Sequence, residues 1–154
     1  MSEKKKIVVL VSGGGTNLQA LIDAQQAGKL GNGFLAAVIS SKPDAFALTR
    51  AKRASIPGFV IQKRDYATQD EYDEALLRLL RLSDADLIVL AGFLTVLSAR
   101  VCRAYENRII NVHPALIPSF CGNGFYGLRV HEAALACGVK VTGATVHFVN
   151  EITD

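Results

Sequence analysis

Residues 7–22 read IVVLVSGGGTNLQALI, and this stretch points to the fold class. Five apolar, mostly β-branched residues at 7–11 predict a buried strand, and a serine and three glycines follow directly. Residues 17–27 then place Leu18, Leu21 and Ile22 on one face of a predicted helix. A buried strand, a glycine turn and an amphipathic helix in this order are typical of a βα unit in a mainly parallel sheet.

The same alternation of strand and helix patterns continues along the chain. Short apolar runs predict further strands at residues 34–40, 58–61, 86–90, 108–112 and 141–149. Amphipathic spacing predicts helices at about residues 45–54, 68–81 and 130–137. No repeat or linker interrupts the pattern, and 154 residues are enough for one domain with a real core. We therefore expect a single α/β domain whose mainly parallel sheet is flanked by helices.

The helix predicted at residues 68–81 has the strongest local signals. Thr68 and Glu71 have the spacing of a capping box, in which each side chain satisfies a free backbone N–H at the helix start. Five apolar residues then recur at helical spacing and form one stripe: Tyr72, Ala75, Leu76, Leu79 and Leu80. We expect this stripe to face the core.

Composition and charge argue against several classes of protein. Half of the residues are hydrophobic and the net charge is only +3, unlike the clustered basic surface of a nucleic-acid-binding protein. The apolar runs are too short to cross a bilayer, and the charged N-terminus does not resemble a signal peptide. Cys102, Cys121 and Cys137 form an odd set without the spacing of a zinc site. We therefore expect a cytoplasmic protein with no metal, no membrane association and no nucleic-acid partner.

The first candidate site is the turn SGGGTN at residues 12–17, between the first strand and the first helix. Glycines allow a tight turn and a close approach of the backbone to a ligand, and a helix start presents free N–H groups that suit a phosphate. The turn matches neither a Walker A loop nor the dinucleotide-binding pattern GxGxxG. Its place at the carboxyl end of a strand favours phosphate binding, although a plain strand–helix turn is the alternative.

The second candidate site is NVHPALIP at residues 111–118, at the end of a predicted strand. Asn111 and His113 are two residues apart, so their side chains are expected to leave the strand on the same face. An amide N–H₂ beside an imidazolium can stabilise a developing oxyanion, and imidazole can also transfer a proton near neutral pH. A purely structural histidine is the alternative. The Ile117–Pro118 bond is expected to be cis, since such bonds occur in tight turns.

The third candidate site is the acidic loop after the last predicted strand, which ends at Asp154. A carboxylate near His113 would favour the protonated imidazole, but spacing alone leaves open whether Asp154 reaches it. A solvated loop is the alternative. His147 is expected to be structural or to support other site residues, and His131 is expected to lie on a helix surface.

Taken together, four motifs resemble those of the phosphoribosylglycinamide formyltransferases in order and spacing. They are SGGGTNLQ at 12–19, LAGF at 90–93, NVHPALIP at 111–118 and GATVHFV at 143–149, followed by Asp154. The resemblance covers nearly the whole chain. It implies a Rossmann-like formyltransferase fold and a formyl transfer from 10-formyltetrahydrofolate, a co-substrate, to the amine of glycinamide ribonucleotide in purine synthesis. It also implies that no metal takes part.

The resemblance assigns roles to residues of this chain. Asn111, His113 and Asp154 match the family's catalytic residues, and Gly15, Thr16 and Asn17 match the residues that bind glycinamide ribonucleotide. The implied folate-binding residues are Gln69, Leu94, Thr95, Val96, Leu97, Asn111, Asn150, Glu151, Ile152, Thr153 and Asp154. Gln69 stands where some members carry an arginine, and the loop at 119–127 looks longer than in other members.

Family members continue past Asp154, so residues 1–154 are expected to be one catalytic domain that is C-terminally incomplete. A monomer or a homodimer is expected. Two other formyl-folate enzymes share the Asn-x-His pattern, a deformylase that releases formate and the formyltransferase that acts on methionyl-tRNA. The proline after His113 and the glycine turn favour the nucleotide enzyme. A nucleotide-binding domain without catalysis is the alternative from another class.

Overall fold

A computed structural model describes residues 3–152, so Thr153 and Asp154 lie outside the described residues. The strands are β1 (Lys5–Val11), β2 (Gly33–Ser40), β3 (Gly58–Val60), β4 (Leu87–Leu90), β5 (Ile109–His113) and β6 (Thr145–Phe148). The helices are α1 (Thr16–Gln26), α2 (Phe46–Arg53), α3 (Gln69–Leu82), α4 (Ala99–Ala104) and α5 (Leu128–Cys137). The predicted alternation of strands and helices is confirmed, and α4 is a helix that was not predicted.

The six strands form one sheet in the order β3-β2-β1-β4-β5-β6. All neighbouring strands are parallel except β5 and β6, which pair antiparallel. The expected mainly parallel sheet is therefore confirmed. The chain builds outward from β1 in one direction and from β4 in the other, so the strand order reverses between these two strands. Open α/β sheets bind ligands in the crevice outside the carboxyl ends of the strands at such a point.

Two apolar clusters cover the two faces of the sheet. Val8 and Leu10 of β1 pack in the cluster that includes α3 and α4, whereas Val9 and Val11 pack in the cluster that includes α1 and α2. This division follows from the alternation of side chains along a strand. Because both faces of β1 are buried, its sequence is continuously apolar rather than alternating.

The N-terminus of α3 confirms one half of the predicted capping box. The Glu71 N–H donates to Thr68 Oγ1 at 3.2 Å, as predicted. The Glu71 carboxylate, however, accepts from the N–H of Ala67 at 3.0 Å rather than from Thr68. The Glu71 carboxylate therefore still accepts from a free backbone N–H before the helix, but that N–H belongs to Ala67, one residue before the predicted donor.

The buried face of α3 is rotated relative to the predicted stripe. Tyr72, Leu76 and Leu80 are buried as predicted, but Ala75 and Leu79 are only partly buried. Leu77 and Asp73 complete the buried face instead. An amphipathic pattern tolerates this shift because the helix rotates to optimise packing on the sheet.

The predicted bounds of the last strand are wrong, whereas the predicted cis bond is confirmed. The last strand covers Thr145–Phe148 rather than residues 141–149, and Val141 is exposed. The Ile117–Pro118 bond is cis, as predicted. Among residues 3–152, no helix is both long enough and apolar enough to span a membrane.

Asp73 is a buried carboxylate that links α3 to α4. Its Oδ1 accepts from Gln69 Nε2 at 2.7 Å, and its Oδ2 accepts from Ser98 Oγ at 2.5 Å. Ser98 in turn caps α4, because its Oγ accepts from the N–H of Val101 at 3.3 Å. The carboxylate thus fixes the start of α4 relative to α3.

Replacing Asp73 with alanine is expected to lower the free energy of unfolding by about 1.5–3 kcal/mol, since hydrogen bonds to a buried charged group are lost. Urea unfolding measures this change. Asp70→Ala is the control, because Asp70 is an exposed carboxylate in the same helical turn and its removal is expected to cost less than about 1 kcal/mol. Equal losses for the two variants would contradict a stabilising role of the buried link.

Candidate active site

Two cavities open at the carboxyl ends of the strands. The first, which we call the β4 cavity, has a volume of about 330 Å³ and is lined by Leu90, residues 93–97, Asn111 and residues 147–152. The second, the glycine cavity, has a volume of about 410 Å³ and is lined by residues 13–17, Ala91, Gly92, Val112, Pro114, Gly127, His131 and Ala144.

The two cavities lie on opposite faces of the sheet and come closest at the ends of β4 and β5. Leu90 lines the β4 cavity and Ala91 lines the glycine cavity, and Asn111 and Val112 are divided in the same way. Successive residues of a strand point to opposite faces, so each strand end contributes to both cavities. Two ligands bound in these cavities would therefore approach each other over the edge of the sheet.

Ser12 connects the walls of the two cavities. Its side chain is 2% exposed, and its Oγ accepts from the N–H of Leu94 at 2.9 Å. The same oxygen shares a hydrogen bond with Ser41 Oγ at 2.6 Å. Ser12 precedes the glycines of one cavity, while Leu94 lines the other, so the two walls are held in a fixed relation.

The glycine turn packs directly against α2. Gly15 has φ +73° and is the N-cap residue of α1, and no side chain caps this helix. A Cβ on Gly15 would lie 2.6 Å from the Cβ of Ala47, so only glycine fits. The start of α1 therefore reaches the glycine cavity with Thr16 and Asn17 beside it and with backbone N–H groups that no side chain caps.

Asn111 lines the β4 cavity, and its amide is oriented by His147 across the β5–β6 pair. The two residues are register partners, and Asn111 Nδ2 lies 3.2 Å from His147 Nε2. His147 Nδ1 lies 3.2 Å from the carbonyl oxygen of Phe148, which can only accept. Nδ1 therefore carries the hydrogen in the neutral ring, and Nε2 accepts from Asn111. One amide hydrogen of Asn111 is used in this way, which leaves the other for a ligand.

His113 lies on the same face of β5 as Asn111, as predicted, but its ring is only 4% exposed. Its Nε2 donates to the carbonyl oxygen of Phe120 at 2.8 Å, since a carbonyl can only accept. His113 does not belong to the lining of either cavity among residues 3–152. The predicted approach of Asp154 to His113 lies outside the described residues.

Comparison with known proteins gives the family. Residues 5–154 match the family model described as formyl transferase. The chain belongs to this formyl transferase family. It is 41% identical over 150 residues to the phosphoribosylglycinamide formyltransferase of Haemophilus influenzae, covering 97% of this chain and 68% of that protein.

One further relative and one solved structure are also similar to this chain. The chain is 45% identical over 152 residues to the trifunctional purine biosynthetic protein adenosine-3 of Drosophila melanogaster, of which it spans only 11%. Its fold matches the crystal structure of glycinamide ribonucleotide transformylase 1 from Symbiobacterium toebii with a TM-score of 0.91 and 39% identity. That match covers all of this chain and 70% of the other. The expected Rossmann-like formyltransferase fold is thereby confirmed.

The wall of the β4 cavity at residues 150–152 is held by α4 of the formyl transferase chain. Cys102 Sγ donates to the carbonyl oxygen of Asn150 at 3.4 Å, and Arg103 donates to the Glu151 carboxylate at 2.7 Å. Burial raises the pKa of the Cys102 thiol, and the charge of Glu151 adds to this effect. The thiol therefore stays protonated at neutral pH and remains a hydrogen-bond donor.

Most of the predicted site residues fall into the two cavities. Gly15, Thr16 and Asn17 line the glycine cavity. The β4 cavity is lined by eight of the residues expected to bind folate: Leu94, Thr95, Val96, Leu97, Asn111, Asn150, Glu151 and Ile152. Gln69 does not line it, and its amide donates to Asp73. Thr153 lies outside the described residues.

Sequence reasoning did not assign several residues that the structure brings to the cavities. His147 was expected to be structural or supporting, and it both lines the β4 cavity and orients Asn111. His131 was expected on a helix surface, and it is exposed but also lines the glycine cavity. Phe93, Phe148 and Val149 complete the β4 cavity. The LAGF motif could have indicated Phe93, whereas the role of His147 depends on a strand register that no local pattern reveals.

Proposed function

We propose that the chain contains the catalytic site of a phosphoribosylglycinamide formyltransferase. In this proposal a formyl group passes from 10-formyltetrahydrofolate to the amine of glycinamide ribonucleotide, as a step of purine synthesis in the cytoplasm. The observation that carries the proposal is the pair of cavities that come together at the ends of β4 and β5 in a formyl transferase family member. A transfer between two substrates needs two adjacent sites.

The glycine cavity is assigned to the phosphate of glycinamide ribonucleotide. Gly15, Thr16 and Asn17 form the start of α1, and backbone N–H groups at a helix start together with the helix dipole favour an anion. The ribose and the glycinamide would then extend across Gly92 and Val112 toward the strand ends. This orientation brings the amine to the edge of the sheet.

The β4 cavity is assigned to the folate. Its walls are largely apolar at residues 93–97 and polar at residues 150–152, which suits a flat heteroaromatic ring with hydrogen-bonding edges. Asn111 lies where the cavity meets the strand end. A formyl group attached to the bound folate would therefore lie beside its amide.

We assign the chemistry to Asn111, which lines the β4 cavity, and to His113, which lies buried on the same face of β5. The amine nitrogen attacks the formyl carbon, and the carbonyl oxygen gains a negative charge that an N–H of Asn111 stabilises. As the intermediate collapses, the bond from carbon to N10 of the folate breaks, the former amine loses a proton, and N10 gains one. We assign this proton transfer to His113, helped by Asp154. Nε2 of His113 donates to the Phe120 carbonyl, which fixes the orientation of the ring.

Holding both substrates side by side supplies a further part of the acceleration, because a bimolecular step becomes effectively unimolecular. In the proposal the protein provides no covalent nucleophile. Formyl-folate is consumed as a co-substrate, and the reaction needs no metal.

The test uses the full-length protein with 10-formyltetrahydrofolate, with and without glycinamide ribonucleotide. We expect one formylated nucleotide for each tetrahydrofolate formed, measured by mass spectrometry and absorbance, and little free formate. Release of formate without the nucleotide would instead identify a deformylase. Binding of both ligands without turnover would identify a domain that binds but does not catalyse.

A further inference from the structure

The side chain of Arg50 crosses from α2 to the glycine turn. Its Nε donates to the carbonyl oxygen of Gly14 at 2.8 Å, and a terminal nitrogen donates to Gln19 Oε1 at 3.0 Å. The guanidinium lies over the ring of Phe46, 4.9 Å from its centroid. These three contacts together hold the side chain in one place and offset the entropy cost of ordering it.

A second contact from α2 acts on the neighbouring carbonyl. The N–H of Ala47 donates to the carbonyl oxygen of Gly13 at 3.1 Å. Two consecutive carbonyls of the glycine turn are thus drawn toward α2, one by the helix backbone and the other by Arg50. Apart from these two contacts, close packing of Gly15 on Ala47 keeps the turn against α2.

The direction of these carbonyls sets the direction of the N–H groups. In a trans peptide unit the C=O and the N–H point in opposite directions. With the carbonyls of Gly13 and Gly14 turned to α2, the N–H groups of Gly14 and Gly15 point away from α2. Both residues line the glycine cavity, so these two donors are presented on its side. Successive N–H groups arranged in this way form a concave anion site.

We propose that Arg50 is a positioning residue for phosphate binding in the glycine cavity. It acts through the Gly14 carbonyl, by keeping the N–H groups of the turn directed at a phosphate monoester. This inference rests on the proposed function, which assigns that cavity to the phosphate of the nucleotide.

Arg53 provides a matched control on the same helix. Its guanidinium also lies over Phe46, 5.6 Å from the ring centroid, so it shares the charge and the aromatic contact of Arg50. Arg53 makes no hydrogen bond to the glycine turn, so its replacement removes the shared features and leaves the turn intact.

The experiment measures dissociation constants by calorimetry with the full-length protein, so it does not depend on turnover. The two ligands are glycinamide ribonucleotide and the same molecule without its phosphate, and the variants are Arg50→Ala, Arg50→Lys and Arg53→Ala. Arg50→Ala is expected to weaken nucleotide binding about tenfold, the effect of one lost charge-assisted hydrogen bond, and to leave binding of the riboside unchanged. Arg50→Lys is expected to restore part of the affinity, because lysine keeps the charge and one donor.

Four outcomes would overturn the assignment of Arg50. Equal behaviour of Arg50→Ala and Arg53→Ala would show that the contact with Gly14 has no effect on binding. Equal weakening of nucleotide and riboside would show a general structural role. If the unmodified protein binds both ligands equally, the glycine cavity does not bind the phosphate, and this part of the proposed function is wrong. If Arg50→Ala keeps the full phosphate preference of the unmodified protein, only the role of Arg50 is removed. Arg50→Lys decides the question if the alanine variant does not fold.

Discussion

Replacing Asn111 with alanine in the full-length protein is expected to lower kcat by about 10²–10³, the usual effect of removing one oxyanion donor. The nucleotide dissociation constant should change little, because Asn111 lines the β4 cavity and not the glycine cavity. Single-turnover measurement of formyl transfer at saturating concentrations of both substrates gives this rate directly.

Asn123→Ala is the control for this prediction. Asn123 is exposed and lines neither cavity, so its replacement removes an amide of the same size without touching the strand ends. An Asn111→Ala variant that keeps kcat within threefold of the unmodified protein would contradict the oxyanion role assigned here. A loss shared equally by the two variants would point to a general effect on the fold.

Replacing Gly15 with alanine is expected to lower the free energy of unfolding by about 2–4 kcal/mol, through strain in the left-handed backbone and overpacking. The added methyl group would lie 2.6 Å from the Cβ and 2.8 Å from the Cα of Ala47, and the backbone atom cannot move aside without shifting α2. The glycine turn would have to move away from α2, so binding of the nucleotide should weaken in the fraction that folds. Urea unfolding measures the stability of this variant.

Gly14→Ala is the matched substitution in the same turn. A Cβ at this position meets nothing within 4 Å, and its φ is not in the left-handed region. Its stability is therefore expected to stay within about 1 kcal/mol of the unmodified protein. If Gly14→Ala and Gly15→Ala destabilise the protein equally, the glycines are needed for the flexibility of the turn and not for its close contact with α2.

The features that were predictable from sequence depend on local chemistry. The glycine turn and its neighbouring strand and helix are adjacent in the chain, so the pattern at residues 7–22 was enough to locate them. The cap at Thr68 is likewise a contact over three residues. The pairing of Asn111 and His113 on one face follows from the period of a strand.

The features that were missed depend on contacts between distant parts of the chain. His147 reaches Asn111 only because β6 pairs antiparallel to β5 in one particular register. Burial of the Asp73 carboxylate is compensated by a hydrogen bond from Ser98, 25 residues away. The six residues of α4 are too few to show a helical period. Packing and register, rather than propensity, determine each of these cases.

The sequence predicted which face of β5 carries His113, but not that the side chain is buried. The strand period places its side chain on the predicted face, but the Phe120 carbonyl and the surrounding residues cover the ring. Nε2 is the ring nitrogen that donates to the Phe120 carbonyl. No pattern of residue types could have distinguished the two ring nitrogens.

The most direct test of the account is a crystal structure of the full-length protein with glycinamide ribonucleotide and an unreactive analogue of formyl-folate. We predict that the phosphate accepts hydrogen bonds from backbone N–H groups at residues 14–17, and that the folate ring lies between residues 93–97 and 150–152. The amine and the formyl position should then meet within about 3.5 Å of each other beside the Asn111 amide. A phosphate bound elsewhere, or both ligands within one cavity, would contradict the arrangement on which the mechanism depends.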